Sequence, residues 1–407
     1  MQQTGSSETL MILIPILDNT YEHTVCLARI AGLSLIRRVV LMAGRDSSSN
    51  IAVVSGSANE DQNMADELAG THARYTRGNV LDLREHNEAV LVLAPDCLPD
   101  RDFFSCLGEK HIKPDEMLLW GDGRAVLLGA ERCATLPDAI QNAGDFGQLV
   151  DILSESIATK HRLKLDHEHV GFPIHDAKSI GEAETMLLSG LVKATEGWMA
   201  LHINRKISLA VTRKLMHTPV TPNHMTWLSM ALGLIGAACF LSSEHTMQIL
   251  GALFFLSHSI LDGCDGELAR LKFMESRLGG ILDFWSDNIV HIAVFAAMGV
   301  GWAAASPDSF WPWLCASLAV GGTAISASLV YFHTMRAEKK AGPLYTSVST
   351  SEQKSAVVRI ADILSRRDFI YLVLLLALFG QTHWFLVMTA VGAPIYTLLL
   401  IHIIIHE

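Results

Sequence analysis

The segment LDGCDGELARLKFMESRLGGILDFWSD, residues 261–287, carries four aspartates in two close pairs. Asp262 and Asp265 are three apart, and Asp283 and Asp287 four apart, so each pair occupies one face of a helix. Ionised carboxylates are costly in apolar surroundings, and four converging on one place repel unless divalent cations or a polar cavity lie between them. An all-oxygen donor set suits Mg²⁺ or Mn²⁺, leaves Ca²⁺ open and disfavours Zn²⁺. Gly266 leaves backbone open beside Asp265, and Arg270 offers a planar fork for phosphate oxygens. Gly279 and Gly280 allow a helix or ligand to come close before Asp283. Two metal ions and an arginine would clamp a diphosphate, and a carboxylate not consumed by the metals can deprotonate an attacking hydroxyl. The chemistry indicated is phosphoryl-type transfer from a nucleotide diphosphate.

These residues lie in the apolar half of a 407-residue chain that is 50% hydrophobic and only 18% charged. Its mean hydropathy is +0.30. Beyond Pro222, stretches of membrane-spanning length follow one another, placed at about 223–242, 246–262, 279–304, 309–332, 368–380 and 383–405. The connections alternate in charge. Those near 243–245, 305–308 and 381–382 have no Lys or Arg, whereas 191–222, 263–278 and 333–367 are basic. The positive-inside rule then places both termini and the basic loops in the cytoplasm. Upstream, short β-branched runs (Met11–Leu17, Val39–Ala43, Ile51–Ser55, Ala89–Ala94, Met117–Trp120) alternate with helical stretches, the pattern of a layered α/β domain. The start of the chain lacks a basic n-region and reads as a buried strand rather than a signal peptide. The expected division is an α/β domain over 1–165, a linker with a juxtamembrane amphipathic helix over 166–222, and a six-span domain over 223–407. Within the linker, Trp198, Leu201, Ile207, Val211 and Leu215 recur at helical spacing among basic residues, as in a helix lying on an anionic leaflet. A soluble helix packed on the first domain is the plainer alternative.

A formal charge of −11 excludes a general nucleic-acid partner. The seven cysteines form neither a C-x-x-C pair nor zinc spacing and read as reduced thiols. A metal-ion transporter, the rival in another functional class, calls for polar residues near mid-bilayer and repeat symmetry, whereas these aspartates lie near one interface and no repeat is visible.

The segment resembles the signature of the CDP-alcohol phosphotransferases, D-x2-D-G-x2-A-R-x8-G-x3-D-x3-D. Asp262, Asp265, Gly266, Ala269, Arg270, Gly279, Asp283 and Asp287 fill its eight fixed positions. The resemblance covers roughly residues 191–407. It implies a membrane transferase in which CMP is displaced from a CDP-alcohol donor by the hydroxyl of an alcohol or lipid acceptor. It also implies a homodimer and two Mg²⁺ or Mn²⁺ ions. By the same analogy Asp262, Asp265 and Asp283 are metal ligands, and Asp287 is a ligand or the general base. Gly266, Ala269, Arg270 and Gly279 line the nucleotide pocket. Thr221-Pro222-Asn223 looks like the family's entry motif, with Asn223 near the nucleotide, although a helix-capping role suits Asn223 equally.

The region Lys193–Thr226 is similar to the membrane-surface helix of bifunctional enzymes that make di-myo-inositol phosphate phosphate, in which a cytidylyltransferase domain precedes the transferase. In the first domain, residues 29–44 and 91–104 resemble segments of sugar nucleotidyltransferases, with Asp96 at the metal-aspartate position. The glycine-rich loop A-A-G-x-G-T-R is replaced by IPILDNTYEH (14–23), and the P-K pair is missing. Backbone amides and a lysine to hold a triphosphate are therefore absent, and the expectation is a degenerate cytidylyltransferase-like domain, with a lone Asp96 at a strand end of an unrelated α/β domain as the equally weighted plain alternative. The implied fold is a nucleotidyltransferase-like α/β domain followed by a six-helix transmembrane bundle.

Four further features bear both functional and plain readings. His258 and His291 share faces with the aspartates and suit hydrogen-bonding or packing roles better than ligation. Arg366, Arg367 and Asp368, and Arg336, Lys339 and Lys340, suit either an acceptor phosphate or ordinary positive-inside anchoring. Small residues of the third and fourth spans (Gly299, Gly301, Ser317, Gly321, Gly322, Ser326) permit close helix contacts, such as a dimer would use.

Overall fold

The computed structural model describes residues 11–17, 20–46, 50–55, 61–77, 89–107, 112–157, 161–165, 170–191, 203–335 and 369–406. The chain divides into two compact units, Met1–Leu187 and Leu188–Glu407.

The first unit is built on strands β1 Met11–Ile16, β2 Arg29–Ile30, β3 Leu33–Ser34, β4 Asn50–Ser55, β5 Arg74–Arg77, β6 Val90–Leu93, β7 Cys97–Pro99, β8 Met117–Trp120, β9 Ala125–Leu128, β10 Arg162–Leu165 and β11 Gly171–Pro173. Seven of them form one sheet in the order β10-β8-β9-β6-β1-β4-β5. β1 pairs in parallel with both β4 and β6, while β9 runs antiparallel to β6 and β8. Every residue of β1 and β6 is buried, as expected for central strands covered on both faces.

Of the runs read as strands, Val39–Ala43 is instead part of the helix Leu35–Asp46. Its buried residues Leu35, Ile36, Val39, Val40 and Ala43 recur with the helical period, and a β-branched pair did not outweigh that amphipathic face. The boundary of the first unit also lies beyond residue 165. β11 pairs with β7, and Glu184, on the helix Ala177–Ser189, accepts a 2.9 Å hydrogen bond from Ala31 N. Ala31 and Gly32 both have positive φ in the tight turn between β2 and β3. The buried Arg38 braces that turn through Nη2 to Ile30 O at 2.9 Å. Burial lowers its pKa to about 10, with Glu184 opposing the shift.

The second unit is helical: α1 Arg205–Leu215, α2 Pro222–Phe240, α3 His245–Lys272, α4 Arg277–Ala305, α5 Trp311–Val330, α6 Phe369–Leu378 and α7 Thr382–His406. Among the described residues, four helices are long and apolar enough to cross a membrane: His245–Lys272, Arg277–Ala305, Trp311–His333 and Thr382–Ile405. The expected count of six is not reached on that measure. The polar first turn Pro222-Asn223-His224 dilutes the 19-residue α2, and α6 has 10 described residues. α3 extends to Lys272 rather than ending near 262, so Asp265, Arg270 and Lys272 belong to a helix and not to a loop. It stops at Phe273, in the left-handed region at φ 55°, and Ser276 caps α4 by accepting from Gly279 N.

Glycines set the packing. The Gly236 and Gly251 backbones nearly touch where α2 crosses α3, and a Cβ at Gly301 would lie 2.3 Å from the Phe240 carbonyl oxygen. A Cβ on Gly299 would lie 2.4 Å from Ala316 Cβ, and one on Gly322 would lie 2.8 Å from Ala393 Cβ. Ser326 and Thr397 hydroxyls join at 2.8 Å beside that contact. The small residues proposed above for helix association thus largely meet partners within the chain; Gly321, with nothing within 4 Å, is open. None of the seven cysteines is in a disulfide.

This packing has a measurable consequence. Gly301→Ala should cost about 1–3 kcal/mol through overpacking against backbone. Gly321→Ala, which meets nothing and gains about 1 kcal/mol of helix propensity, should be neutral or stabilising. Thermal unfolding of the two variants in detergent separates these expectations, and equal shifts would contradict the close α2–α4 contact.

Candidate active site

α3 and α4 are joined by a four-residue turn, so residues equidistant from it come level. Asp265 and Asp283 lie seven residues before Lys272 and six after Arg277, about 10 Å along each helix. The two helices nevertheless pack less against each other than each does against α2, which lies along both. Gly233 marks the meeting point. A Cβ there would be 2.5 Å from Val290 Cγ1 on α4 and 3.1 Å from His258 Cγ on α3.

Across this gap the ligand atoms of Asp262, Asp265 and Asp283 lie within 4.8 Å of one another. Asp262 and Asp265 are buried and Asp283 is half-buried. Thr226 of α2 donates its hydroxyl to Asp265 Oδ2 at 2.6 Å, and Gly266 N donates to Asp265 Oδ1. Three carboxylates this close repel strongly, and a set made only of oxygens fits a hard divalent cation.

Asp287 stands outside this three-residue group. Its Oδ1 is 3.5 Å from Nε2 of the buried His258, whose Nδ1 donates to Ser229 O at 3.0 Å. His291 is packed among the rings of Phe255, Phe295 and Phe369, in accord with the packing reading.

The remaining signature residues occupy the same face of α3. At 100° per residue, Asp262, Asp265, Gly266, Ala269 and Arg270 fall within about 140° of arc. The Arg270 guanidinium folds back over Gly266, with Nη1 3.3 Å from where a Cβ would be. On the facing side, Asn223 Oδ1 lies 3.4 Å from the Cβ position of Gly279. The N-cap of α2 is Thr221, whose side chain accepts from His224 N, so Asn223 is not the capping residue. Arg336, Lys339, Lys340, Arg366, Arg367 and Asp368 lie outside the described residues.

In the first unit, Asp96 follows β6 and forms an ion pair with Arg124 Nη1. The antiparallel β6–β9 register brings them together, since Leu93 pairs with Ala125 and Ala94 N donates to Arg124 O at 2.8 Å. Burial would lower the Arg124 pKa, but the hydrogen bond and charge of Asp96 raise it overall. Local spacing does not mark Arg124 as a partner of Asp96. Its only signal was the turn Gly121-Asp122-Gly123-Arg124 between two apolar runs.

Residues 219–395 match the model of the CDP-alcohol phosphatidyltransferase family. A bifunctional IPC transferase and DIPP synthase of Thermococcus kodakarensis is 36% identical over 156 residues, covering 38% of this chain and 34% of that protein. The chain spans between a quarter and a half of the length of the curated relatives it matches. Among solved structures, the phosphatidylinositol phosphate synthase of Mycobacterium tuberculosis with CDP-DAG bound is similar at 20% identity and a TM-score of 0.35, over 49% of this chain and 94% of that one. A nucleotidyl transferase of Methanothermobacter thermautotroptrophicus is similar at 13% identity and a TM-score of 0.34, over 45% and 99%.

Thr226→Val keeps the shape of the side chain but removes a charge-assisted donor from Asp265, an exchange worth about 1.5–3 kcal/mol. The expected result is a lower unfolding temperature, while Thr218→Val, remote from the aspartates, should have a smaller effect.

Proposed function

We propose that the chain is an integral membrane transferase that moves a substituted phosphate from a CDP-alcohol to the hydroxyl of an acceptor alcohol, releasing CMP. The observation that carries this reading is the gathering of Asp262, Asp265 and Asp283 within 4.8 Å between two helices of a CDP-alcohol phosphatidyltransferase domain. The names of the curated relatives favour an inositol-type polyol or lipid phosphodiester as the product class.

Asp262, Asp265 and Asp283 would hold Mg²⁺ or Mn²⁺, two ions in this reading, with Asp287 adjoining the site. Divalent ions bound there neutralise the diphosphate and make its phosphorus more electrophilic. The residues of the chain do the rest. Arg270 binds phosphate oxygens through two parallel hydrogen bonds, and Gly266 and Gly279 leave backbone open for the diphosphate to approach. Asn223, beside Gly279, contacts the nucleotide. Asp287 takes the proton of the acceptor hydroxyl. The hydroxyl oxygen forms a bond to the phosphorus bearing the donor alcohol, and the bond from that phosphorus to the bridging oxygen breaks, so that CMP leaves with the bridging oxygen. His258, anchored to Ser229 O, holds one side of Asp287.

The reading includes six membrane-spanning helices, cytoplasmic termini and a site opening to the cytoplasmic leaflet, supported by the alternation of basic and neutral connections. It also includes a homodimer. The first domain is read as a degenerate cytidylyltransferase. The loop at 14–23 lacks the glycine-rich pattern, and the carboxylate of Asp96 is already met by the Arg124 guanidinium.

With purified full chain, CDP-alcohol and Mg²⁺, Asp287→Asn should lower CMP release by about 10²–10⁴-fold, the usual worth of a general base, while nucleotide binding persists. Arg270→Lys should weaken donor binding, because a point charge replaces a fork. Undiminished turnover in Asp287→Asn would remove it from the mechanism. CTP with a polyol phosphate should yield no pyrophosphate, and its detection would overturn the reading of the first domain.

A further inference from the structure

Glu267 lies within the signature segment but turns away from its aspartates. It is 0% exposed, and its carboxylate is held entirely by α1. Arg205 Nη1 and Ser208 Oγ each reach Oε1 at 2.6 Å, and Thr212 Oγ1 reaches Oε2 at 2.6 Å. The three donors come from successive turns of α1. Arg205 passes over Gly263, one turn before Glu267, at contact distance: a Cβ there would lie 3.4 Å from Arg205 Nη1. Below the clamp, Cys264 and Leu268 pack with Met225, Val211 and Leu215. Lys272 Nζ ties off the end of α1 through Thr218 O at 2.7 Å and Val220 O at 3.0 Å.

A fully buried carboxylate costs several kcal/mol unless it is paired and hydrogen-bonded, and apolar side chains would often hold two helices together as firmly. What directional donors add is geometry. A seam of Leu, Val and Met tolerates rotation, whereas one charge met by three fixed donors admits a single setting. Glu267 is about 150° around α3 from Asp262 and Asp265. Fixing it against α1 therefore turns both aspartates toward α4, where Asp283 stands.

We propose that Glu267 is a positioning residue for the proposed metal site, acting through its clamp by Arg205, Ser208 and Thr212 to set the rotation of α3 and bring Asp262 and Asp265 to Asp283. This rests on the reading of the three aspartates as a divalent-cation site.

The test uses the purified full chain with two readouts: Mn²⁺ affinity by electron paramagnetic resonance, and the rate of Cys264 alkylation by N-ethylmaleimide, read by mass spectrometry. Cys264 is buried at the α1–α3 contact, its thiol 3.6 Å from Ser208 O. In the paired variant Arg205→Met/Glu267→Leu, apolar chains replace the ion pair, so neither charge is left buried alone. The expected result is cooperative unfolding retained, Mn²⁺ affinity at least tenfold weaker, and Cys264 alkylated at least tenfold faster. Glu267→Gln, which keeps an acceptor for the hydroxyls, should fall between this variant and the unaltered chain. Unchanged Mn²⁺ affinity in the paired variant overturns the proposal. If that variant fails to fold, Glu267→Gln decides by the same two readouts, and two unchanged values overturn it. An unaltered chain that binds no Mn²⁺ would instead defeat the metal reading. Cys264 reactivity then decides the clamp by itself, faster alkylation in the variant supporting it and an unchanged rate overturning it.

Discussion

Carboxylates of like charge do not gather inside an apolar helical bundle unless the surrounding structure compels them. Asp262, Asp265 and Asp283 come within 4.8 Å because α3 and α4 leave a four-residue turn in antiparallel directions, and because α2 lies along both. The close packing of α2 depends on glycine: Gly233 against Val290 and His258, and Gly236 against Gly251. The resulting gap is narrow enough for side chains to reach across, yet α3 and α4 do not close on each other.

Acidic groups recur at the other organising points of the chain, and each is answered in its own way. Glu267 is answered by an arginine and two hydroxyls of α1, and Asp96 by Arg124 of the neighbouring strand end. Glu22, buried in the first unit, accepts backbone N–H groups of Leu17 and Phe146, and burial keeps its pKa above the ordinary carboxylate value. Asp265 draws on the Thr226 hydroxyl. A cation or a set of donors that belongs to the protein fixes geometry permanently, whereas the gathered Asp262, Asp265 and Asp283 depend on how the helices that carry them are set.

α1 reconciles two demands on one short helix. Its Ser208 and Thr212 face is buried against α3, while Lys206, Ile207, Arg213 and Lys214 are exposed. The mixture of basic and apolar residues on the outer face suits a membrane surface. The polar residues on the inner face, unremarkable in an amphipathic pattern, carry the clamp on Glu267.

By itself, the sequence determined the layered α/β character of the first unit, the helical character of the second, and the face shared by Asp262, Asp265, Gly266, Ala269 and Arg270. These follow from local periodicity, which needs only the pitch of a helix or strand. The four aspartates were legible as a group for the same reason, since they lie within 26 positions of one another on two consecutive helices. Tertiary structure decided the rest. The β-branched run Val39–Ala43 has strand composition, and the core it packs against makes it a helix. Small residues of the third and fourth spans, read as suited to a dimer, met Phe240, Ala316 and Ala393 of the same chain. Arg124 reached Asp96 through strand pairing, and Arg205 reached Glu267 from 62 residues away. Such partnerships depend on which surfaces are buried together, and no local spacing along the chain encodes that.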